Sequence, residues 1–92
     1  MSYETYELVV AGPAARDIQY KLPEGVAAAV IEFITGALID NPHRVGKPLR
    51  NELTGQYSAR RGAFRVIYQI DEHERAVVVL RIEHRADAYR PR

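Results

Sequence analysis

The spacing of apolar side chains differs between the two halves of the chain. Between residues 14 and 40 they recur at every third or fourth position, the period of an amphipathic helix, and Pro23 divides this stretch into two helices. From residue 56 onward apolar and polar residues alternate, as they do in strands with one buried face. The predicted elements are a strand at Tyr3–Val10, helices at Ala14–Leu22 and Pro23–Asp40, and strands at Gln56–Arg60, Phe64–Asp71 and Val77–Glu83.

This order of elements predicts an α+β domain, spanning residues 1–92, in which a two-helix hairpin covers one face of an antiparallel sheet. The alternation also predicts which side chains face the helices. In the last two strands these are Phe64, Val66, Tyr68 and Ile70, and Val78, Leu80 and Ile82. Val79, Arg81 and Glu83 are then expected on the opposite face, which is free for a ligand.

Composition excludes several classes of site. The chain has no cysteine, so it carries no disulfide framework, cysteine zinc site or catalytic thiol. The three histidines are scattered without ligand spacing, and we expect neither a metal nor another cofactor. The segment Met1–Glu7 is acidic where a signal peptide is basic, and the apolar run Val26–Ile31 is far shorter than the roughly 20 residues that span a bilayer. We therefore expect a cytoplasmic protein without a membrane anchor.

The near-neutral formal charge of +1 conceals an uneven distribution. Residues 1–42 contain two basic and six acidic residues, whereas residues 43–92 contain eleven basic and six acidic ones, so the two parts carry −4 and +5. Such an asymmetry indicates an anionic partner for the basic part. The alternative is two solvated faces whose charges differ by chance.

The basic residues of the strands predict a phosphate-binding groove. If the last three strands are neighbours, five guanidinium groups converge on it, and guanidinium forks bind phosphate oxygens in a bidentate way. These five residues are Arg60, Arg61, Arg65, Arg81 and Arg85. The alternative is ordinary surface solvation with local ion pairs, such as Arg81 with Glu83 or Asp71.

Two residues near the C-terminus are candidates for stacking or proton transfer. Tyr89 lies in a basic tail, where its ring can stack on a base or its phenol can transfer a proton, or where it merely caps the sheet edge. His84 titrates near neutral pH, but the alternation places it on the same face as Ile82, so a packing role is equally consistent.

The ordered motifs resemble one bacterial toxin family. The stretches Asn41–Leu49, Leu53–Gly55, Tyr57–Gly62 and Phe64–Tyr68, followed by His84-Arg85 and Tyr89-Arg90, resemble the RelE family of the RelE/ParE toxin superfamily. The resemblance implies a small cytosolic toxin of a toxin–antitoxin pair with the fold described above. RelE-type members cleave mRNA in the ribosomal A site without a metal, through attack of a ribose 2′-OH on the adjacent phosphorus.

The resemblance also implies roles for individual residues. Arg65 matches a phosphate-stabilising or proton-donating arginine, and Tyr89 matches a C-terminal tyrosine that acts as base and stacking group. The implied catalytic residues are Arg61, Arg65, Arg85 and Tyr89, and the implied RNA-binding residues are Arg44, Lys47, Arg50, Arg60, Arg81 and His84. Gln56 and Ser58 stand where some members carry a pair of lysines, so the identity of the general base stays open.

Two functions from different classes are consistent with these features. The first is a ribosome-dependent mRNA endoribonuclease that inhibits translation and is neutralised by a cognate RelB-like antitoxin. Its partners would be mRNA, the ribosomal A site and, only through the antitoxin complex, operator DNA. The second is a ParE-like toxin that inhibits DNA gyrase by binding, without nuclease chemistry. A third possibility is a degenerate toxin that binds only its antitoxin and operator DNA.

Overall fold

The computed structural model describes residues 5–84 and confirms the expected mixture of helices and sheet. It contains additional short elements between the predicted ones. The strands are β1 (Glu7–Val10), β2 (Lys47–Pro48), β3 (Gln56–Arg61), β4 (Phe64–Asp71) and β5 (Ala76–His84). The helices are α1 (Gly12–Arg16), α2 (Glu24–Ile34), α3 (Ala37–Asp40) and α4 (Pro42–Val45), with a π-helical turn at Asp17–Lys21 and a 3₁₀ turn at Asn51–Leu53.

The second predicted helix is divided at Gly36. This residue has φ −125° and ψ −96°, which is not a helical conformation, and the helical chain resumes at α3. At the end of α2 the Ile31 carbonyl accepts a 2.6 Å hydrogen bond from the Thr35 hydroxyl in addition to the one from the Thr35 backbone N–H. The expected helix at Pro23–Asp40 is therefore two helices.

The five strands form one sheet in the order β1-β5-β4-β3-β2. The pairs β3–β4 and β4–β5 are antiparallel, as expected. The short strand β2, which was not predicted, also pairs antiparallel with β3, but β1 lies parallel to β5. The expectation of a wholly antiparallel sheet was therefore wrong for its first strand. Alternation of apolar residues reports which face a side chain occupies and carries no information on strand direction.

A β-bulge in β5 corrects the predicted faces of that strand. Tyr68 pairs with Val79 but the preceding Ile67 pairs with Arg81, so Leu80 is an extra residue. Val77 and Val79 are consequently fully buried against the helices, where Val78 and Leu80 were expected. Beyond the bulge the prediction is confirmed, because Ile82 belongs to the core.

The core lies between the helices and one face of the sheet. Its fully buried side chains include Val30, Leu38, Val66, Val77 and Val79. No helix within residues 5–84 is long and apolar enough to cross a membrane.

Tyr68 is the largest fully buried side chain, and its polar end has a partner. Its hydroxyl donates a 2.6 Å hydrogen bond to the carbonyl of Pro42, which ties α4 to the centre of β4. The ring stacks on Tyr57 with 5.4 Å between centroids. Burial, with a smaller contribution from Tyr57, raises the pKa of Tyr68 to about 12, so this hydroxyl stays a donor at all physiological pH values.

A polar cluster at the turn between β4 and β5 holds the first strand and α4 in place. The Tyr6 hydroxyl donates to both carboxylate oxygens of Glu72, at 3.0 and 3.1 Å, and His43 contacts the same carboxylate through Nε2. The Arg75 guanidinium lies 4.1 Å from the centre of the Tyr6 ring. The hydrogen bond with His43, then that with Tyr6, lowers the pKa of Glu72 below its ordinary value.

We expect Glu72→Gln to destabilise the protein at pH 7 and to lose this effect in acid. Because the pKa of Glu72 is lowered by folding, its carboxylate contributes stability above the pKa of the unfolded state, and this contribution disappears as pH falls through the folded-state pKa. Urea denaturation of both proteins at a series of pH values from 7 downward measures the difference. Glu74→Gln removes a charge from the same turn outside the cluster, and an identical pH dependence in that variant would contradict the assignment.

Candidate functional site

The sheet places four cationic side chains on its open face, the face opposite the helices. Strand register puts Arg60 opposite Arg65 and Arg65 opposite Glu83 in one row across the sheet. In the next row of the same face, Lys47 lies opposite Ser58, and Arg81 lies two positions along β5 from Glu83. Rows are about 7 Å apart and neighbours in a row about 5 Å, so Arg60, Arg65, Arg81 and Glu83 lie close together, while Lys47 lies on the same face at the other end of the row from Arg81. We call Lys47, Arg60, Arg65, Arg81 and Glu83 the open-face cluster.

Arg65 and Arg81 share one carboxylate within this cluster. Nη1 of Arg65 lies 3.5 Å from one oxygen of Glu83, and Nε of Arg81 donates a 3.3 Å hydrogen bond to the other. The local pairing of Arg81 with Glu83 is thus one of the alternatives anticipated from the sequence. Within residues 5–84, Lys47 and Arg60 form no ion pair, so the cluster retains a clear positive charge.

Arg60 and Arg65 lie directly opposite one another, and this pairing of like charges does not stabilise the sheet. Like charges placed directly opposite one another on adjacent strands destabilise the sheet. Departures of this kind from local stability are expected at functional sites. The pair therefore favours an anionic ligand over simple solvation as the explanation for the charge of this face.

A groove of about 590 Å³ runs beside the open-face cluster. The segment 45–49, which includes β2, forms one wall, and Ser58, Arg60, Arg61 and Arg65 complete its lining. This volume lies within the range of small-ligand sites, roughly 300–1,000 Å³. The groove is therefore large enough for a short stretch of nucleotides and too small to hold a folded nucleic acid.

Gly46 lets the wall of the groove approach the core. A Cβ atom at this position would overlap the hydroxyl oxygen of Tyr68 and lie 2.9 Å from the carbonyl oxygen of Ser58. Its φ of −133° is accessible to any residue, so the requirement is for space. The absence of a side chain at Gly46 permits β2 to pair with β3 and places Lys47 in the cluster.

Arg61 and His84 do not join the open-face cluster. Arg61 follows Arg60 directly in β3, and successive strand residues point to opposite faces. Its guanidinium carbon lies 4.7 Å from the centre of the Phe33 ring, on the face that the helices cover. His84 pairs with the core residue Phe64 and so belongs to that face too. Both arginines nevertheless line the groove beside the cluster, so the expected convergence of their guanidinium groups stays a prediction.

The remaining candidates lie at the margins of the groove or outside the described residues. Arg44 and Arg50 are exposed and flank the segment that forms the groove wall. Arg85 and Tyr89 lie outside residues 5–84. Among the described residues, no three His, Asp or Glu side chains are grouped as metal ligands.

The two positions at which the resemblance implied a lysine pair in some family members are uncharged here. Ser58 lies between Lys47 and Ile67 in a row of the open face, and Gln56 lies two residues earlier in β3. The side-chain oxygen of Gln56 is buried without a hydrogen-bond partner in the described part of the chain. Lys47, on the strand beside Ser58, supplies the ammonium group nearest to these positions in the register.

Sequence reasoning did not single out Gly46 or the pairing of Arg65 with Glu83. Gly46 lies between the predicted helix that ends at Asp40 and the predicted strand that begins at Gln56, and only the packing of Tyr68 beneath it shows why a side chain is excluded. For Glu83 a signal was present, because it was expected on the same face as Arg81. Its pairing with Arg65 required the register between β4 and β5.

Comparison with known proteins identifies the family. The family model of the ParE toxin of type II toxin–antitoxin systems, parDE, matches residues 13–89. Toxin RelE of Mycobacterium tuberculosis is 51% identical over 85 residues, covering 92% of this chain and 87% of that protein. Toxin RelG of the same species is 56% identical over 77 residues, covering 84% and 87%.

A solved structure agrees with this result. The crystal structure of the toxin–antitoxin complex RelBE2 from M. tuberculosis matches with a TM-score of 0.86 and 49% identity, over 89% of this chain and 100% of the matched chain. The expected membership of the RelE/ParE superfamily is confirmed. The chain belongs to the family of ParE toxins of type II toxin–antitoxin systems.

Proposed function

We propose that this toxin is an mRNA endoribonuclease that acts on translating ribosomes. The observation that carries the proposal is the open-face cluster, in which three arginines and one lysine flank a groove on the exposed side of the sheet. Guanidinium groups in this arrangement bind phosphodiester oxygens and stabilise additional negative charge on them. The relatives named RelE and RelG support the same class of toxin.

The reaction proposed is cleavage by a neighbouring hydroxyl group. The ribose 2′-oxygen forms a bond to the adjacent phosphorus while the bond from phosphorus to the 5′-oxygen breaks, which leaves a 2′,3′-cyclic phosphate. One group must accept the 2′-OH proton, and another must donate a proton to the departing oxygen. Arg65 and Arg81 would stabilise the phosphorane, since their guanidinium groups remain protonated at any biological pH.

The placement of the side chains refines the proposed catalytic set. Both adjacent hairpin arginines line the groove; Arg60 belongs to the open-face cluster, whereas the Arg61 guanidinium also packs on the Phe33 ring. We therefore add Arg60 to the proposed phosphate contacts, and we keep Arg61, Arg85 and Tyr89 as proposed catalytic residues. The small volume of the groove fits a reaction in which the ribosome positions the mRNA.

The partners are proposed from the relatives. RelBE2 of M. tuberculosis is a toxin–antitoxin complex, and we propose that a RelB-like antitoxin likewise neutralises this chain in the cytoplasm. Contact with operator DNA would occur only through that complex. Covering or displacing groups of the open-face cluster would be sufficient for inhibition, because the proposed chemistry depends on exposed guanidinium groups.

Purified toxin in a reconstituted translation reaction tests the proposal. We expect primer extension to show new 5′ ends within translated codons, and the same mRNA without ribosomes to stay intact. Cleavage of translated mRNA that Arg65→Ala abolishes would establish the assignment. Arrested translation with fully intact mRNA would contradict it.

Two observations favour a second candidate, inhibition of DNA gyrase. The matching family model describes a ParE toxin, and the neutral Gln56 and Ser58 leave the general base unassigned. The shared fold does not discriminate between the two targets. A supercoiling assay with the same purified protein separates them, since inhibition of gyrase with intact mRNA would replace the first proposal by the second.

A further inference from the structure

Glu83 occupies the position in the open-face cluster where an anionic ligand would be expected. Its two carboxylate oxygens each face a different guanidinium group, Arg65 at 3.5 Å and Arg81 at 3.3 Å. The three side chains remain 41–42% exposed, so water reaches the ion pairs. Glu83 is also the one acidic residue in the described rows that contain Lys47, Arg60, Arg65 and Arg81.

A phosphodiester carries the same charge as this carboxylate and presents its acceptor oxygens in a similar arrangement. Both carry one negative charge on two equivalent oxygens, and both accept hydrogen bonds from guanidinium forks. Ion pairs at this degree of exposure contribute little net stability, because water screens them and fixing two long side chains costs entropy. The contacts of Glu83 with Arg65 and Arg81 are therefore weak enough for an incoming phosphate to replace.

We propose that Glu83 is an internal counter-ion of Arg65 and Arg81 that an RNA phosphodiester displaces. The ligand named here rests on the proposed function. In the free protein the carboxylate holds both guanidinium groups over the open face and cancels part of their charge. It thereby weakens binding to nucleic acid that lacks a phosphate positioned between the two arginines.

Glu83→Gln tests this role because it keeps the shape of the side chain and removes its charge. The probe is a fluorescent single-stranded RNA hexanucleotide with 2′-O-methyl riboses, which cannot undergo 2′-OH attack. We expect the variant to bind it several-fold more tightly at low salt. The slope of log affinity against log salt concentration should steepen by about 0.7, the value for one additional phosphate contact on a single strand.

Glu32→Gln is the matched control, since Glu32 lies in α2 beside the cleft between this helix and the β3–β4 turn. We expect Glu32→Gln to change neither the affinity for the hexanucleotide nor the slope of log affinity against log salt concentration. The proposal is overturned if Glu83→Gln binds the hexanucleotide like the wild type or more weakly, if Glu32→Gln reproduces its effect, or if neither protein binds the probe.

Steady-state kinetics of cleavage on ribosomes distinguish two roles of Glu83, that of a counter-ion and that of a group acting on the reacting atoms. We expect Glu83→Gln to lower KM, because removal of a competing anion strengthens binding of substrate. A large fall in kcat at unchanged KM would overturn the proposal, since it would place the carboxylate at the reaction centre. Tighter hexanucleotide binding by Glu83→Gln, combined with no cleavage by the wild type, would support the role of Glu83 and contradict only the nuclease assignment.

Discussion

Replacing Arg65 by alanine is expected to lower the rate of ribosome-dependent mRNA cleavage about 10²- to 10³-fold, the usual cost of removing one preorganised donor to developing negative charge. Arg65 is central to the open-face cluster, because it lies opposite Arg60 on one side and opposite Glu83 on the other. The measurement is the single-turnover cleavage rate on stalled ribosomes, together with the denaturant midpoint.

Two further variants show whether the effect comes from charge or from geometry. Arg65→Lys keeps the charge and loses the planar fork, so we expect a rate between those of the alanine variant and the wild type. Arg16→Ala removes one arginine from α1, outside the groove, and should cleave like the wild type. Wild-type cleavage by Arg65→Ala would refute the assignment of the catalytic centre to this face.

The Gly46→Ala variant is expected to lose about 1–3 kcal/mol of unfolding free energy, the range found for overpacked sites. The added methyl group would meet the Tyr68 hydroxyl and the Ser58 carbonyl, one fixed by a buried hydrogen bond and the other by the sheet. Relief requires β2 to move away from β3, which would withdraw Lys47 from the open-face cluster. Urea denaturation and RNA affinity should therefore both show losses.

Gly25→Ala and a double variant make this prediction specific. A Cβ at Gly25 meets nothing within 4 Å, so alanine in this turn of α2 should be neutral or stabilise by about 0.5 kcal/mol. Tyr68→Phe alone should cost about 1 kcal/mol through its lost hydrogen bond. Combined with Gly46→Ala it removes the hydroxyl that the methyl group overlaps, so the two costs should sum to more than the double variant shows. Simple additivity would contradict the proposed overlap.

The order of the elements and the buried face of β4 were predictable from the sequence. Alternation in β4 assigns Phe64, Val66 and Tyr68 to the core, where the structure has them. The same rule assigns Arg60 and Arg61 to opposite faces of β3, although both side chains line the groove in which grouping by charge had placed them.

Other features depended on contacts between distant segments. The parallel pairing of β1 with β5 and the short strand β2 arise from how the helices return the chain, which no local pattern records. The requirement for glycine at position 46 arises from Tyr68, 22 positions further along the chain. Local periodicity therefore predicted the layers of the fold, whereas the walls of the groove followed from tertiary packing.

The bulge at Leu80 decides which side chains in the second half of β5 face the core and which face the open side of the sheet. Val77 and Val79 enter the core, and uninterrupted alternation would send Arg81 and Glu83 after them, into the apolar layer beneath the helices. One additional residue reverses the phase, so that Ile82 completes the core while both charged side chains emerge among the cations of the open face. A single backbone irregularity thus lets one strand serve as hydrophobic wall at its beginning and as ligand surface at its end. In this small domain the β-bulge makes a stable apolar interior compatible with a charged ligand-binding face.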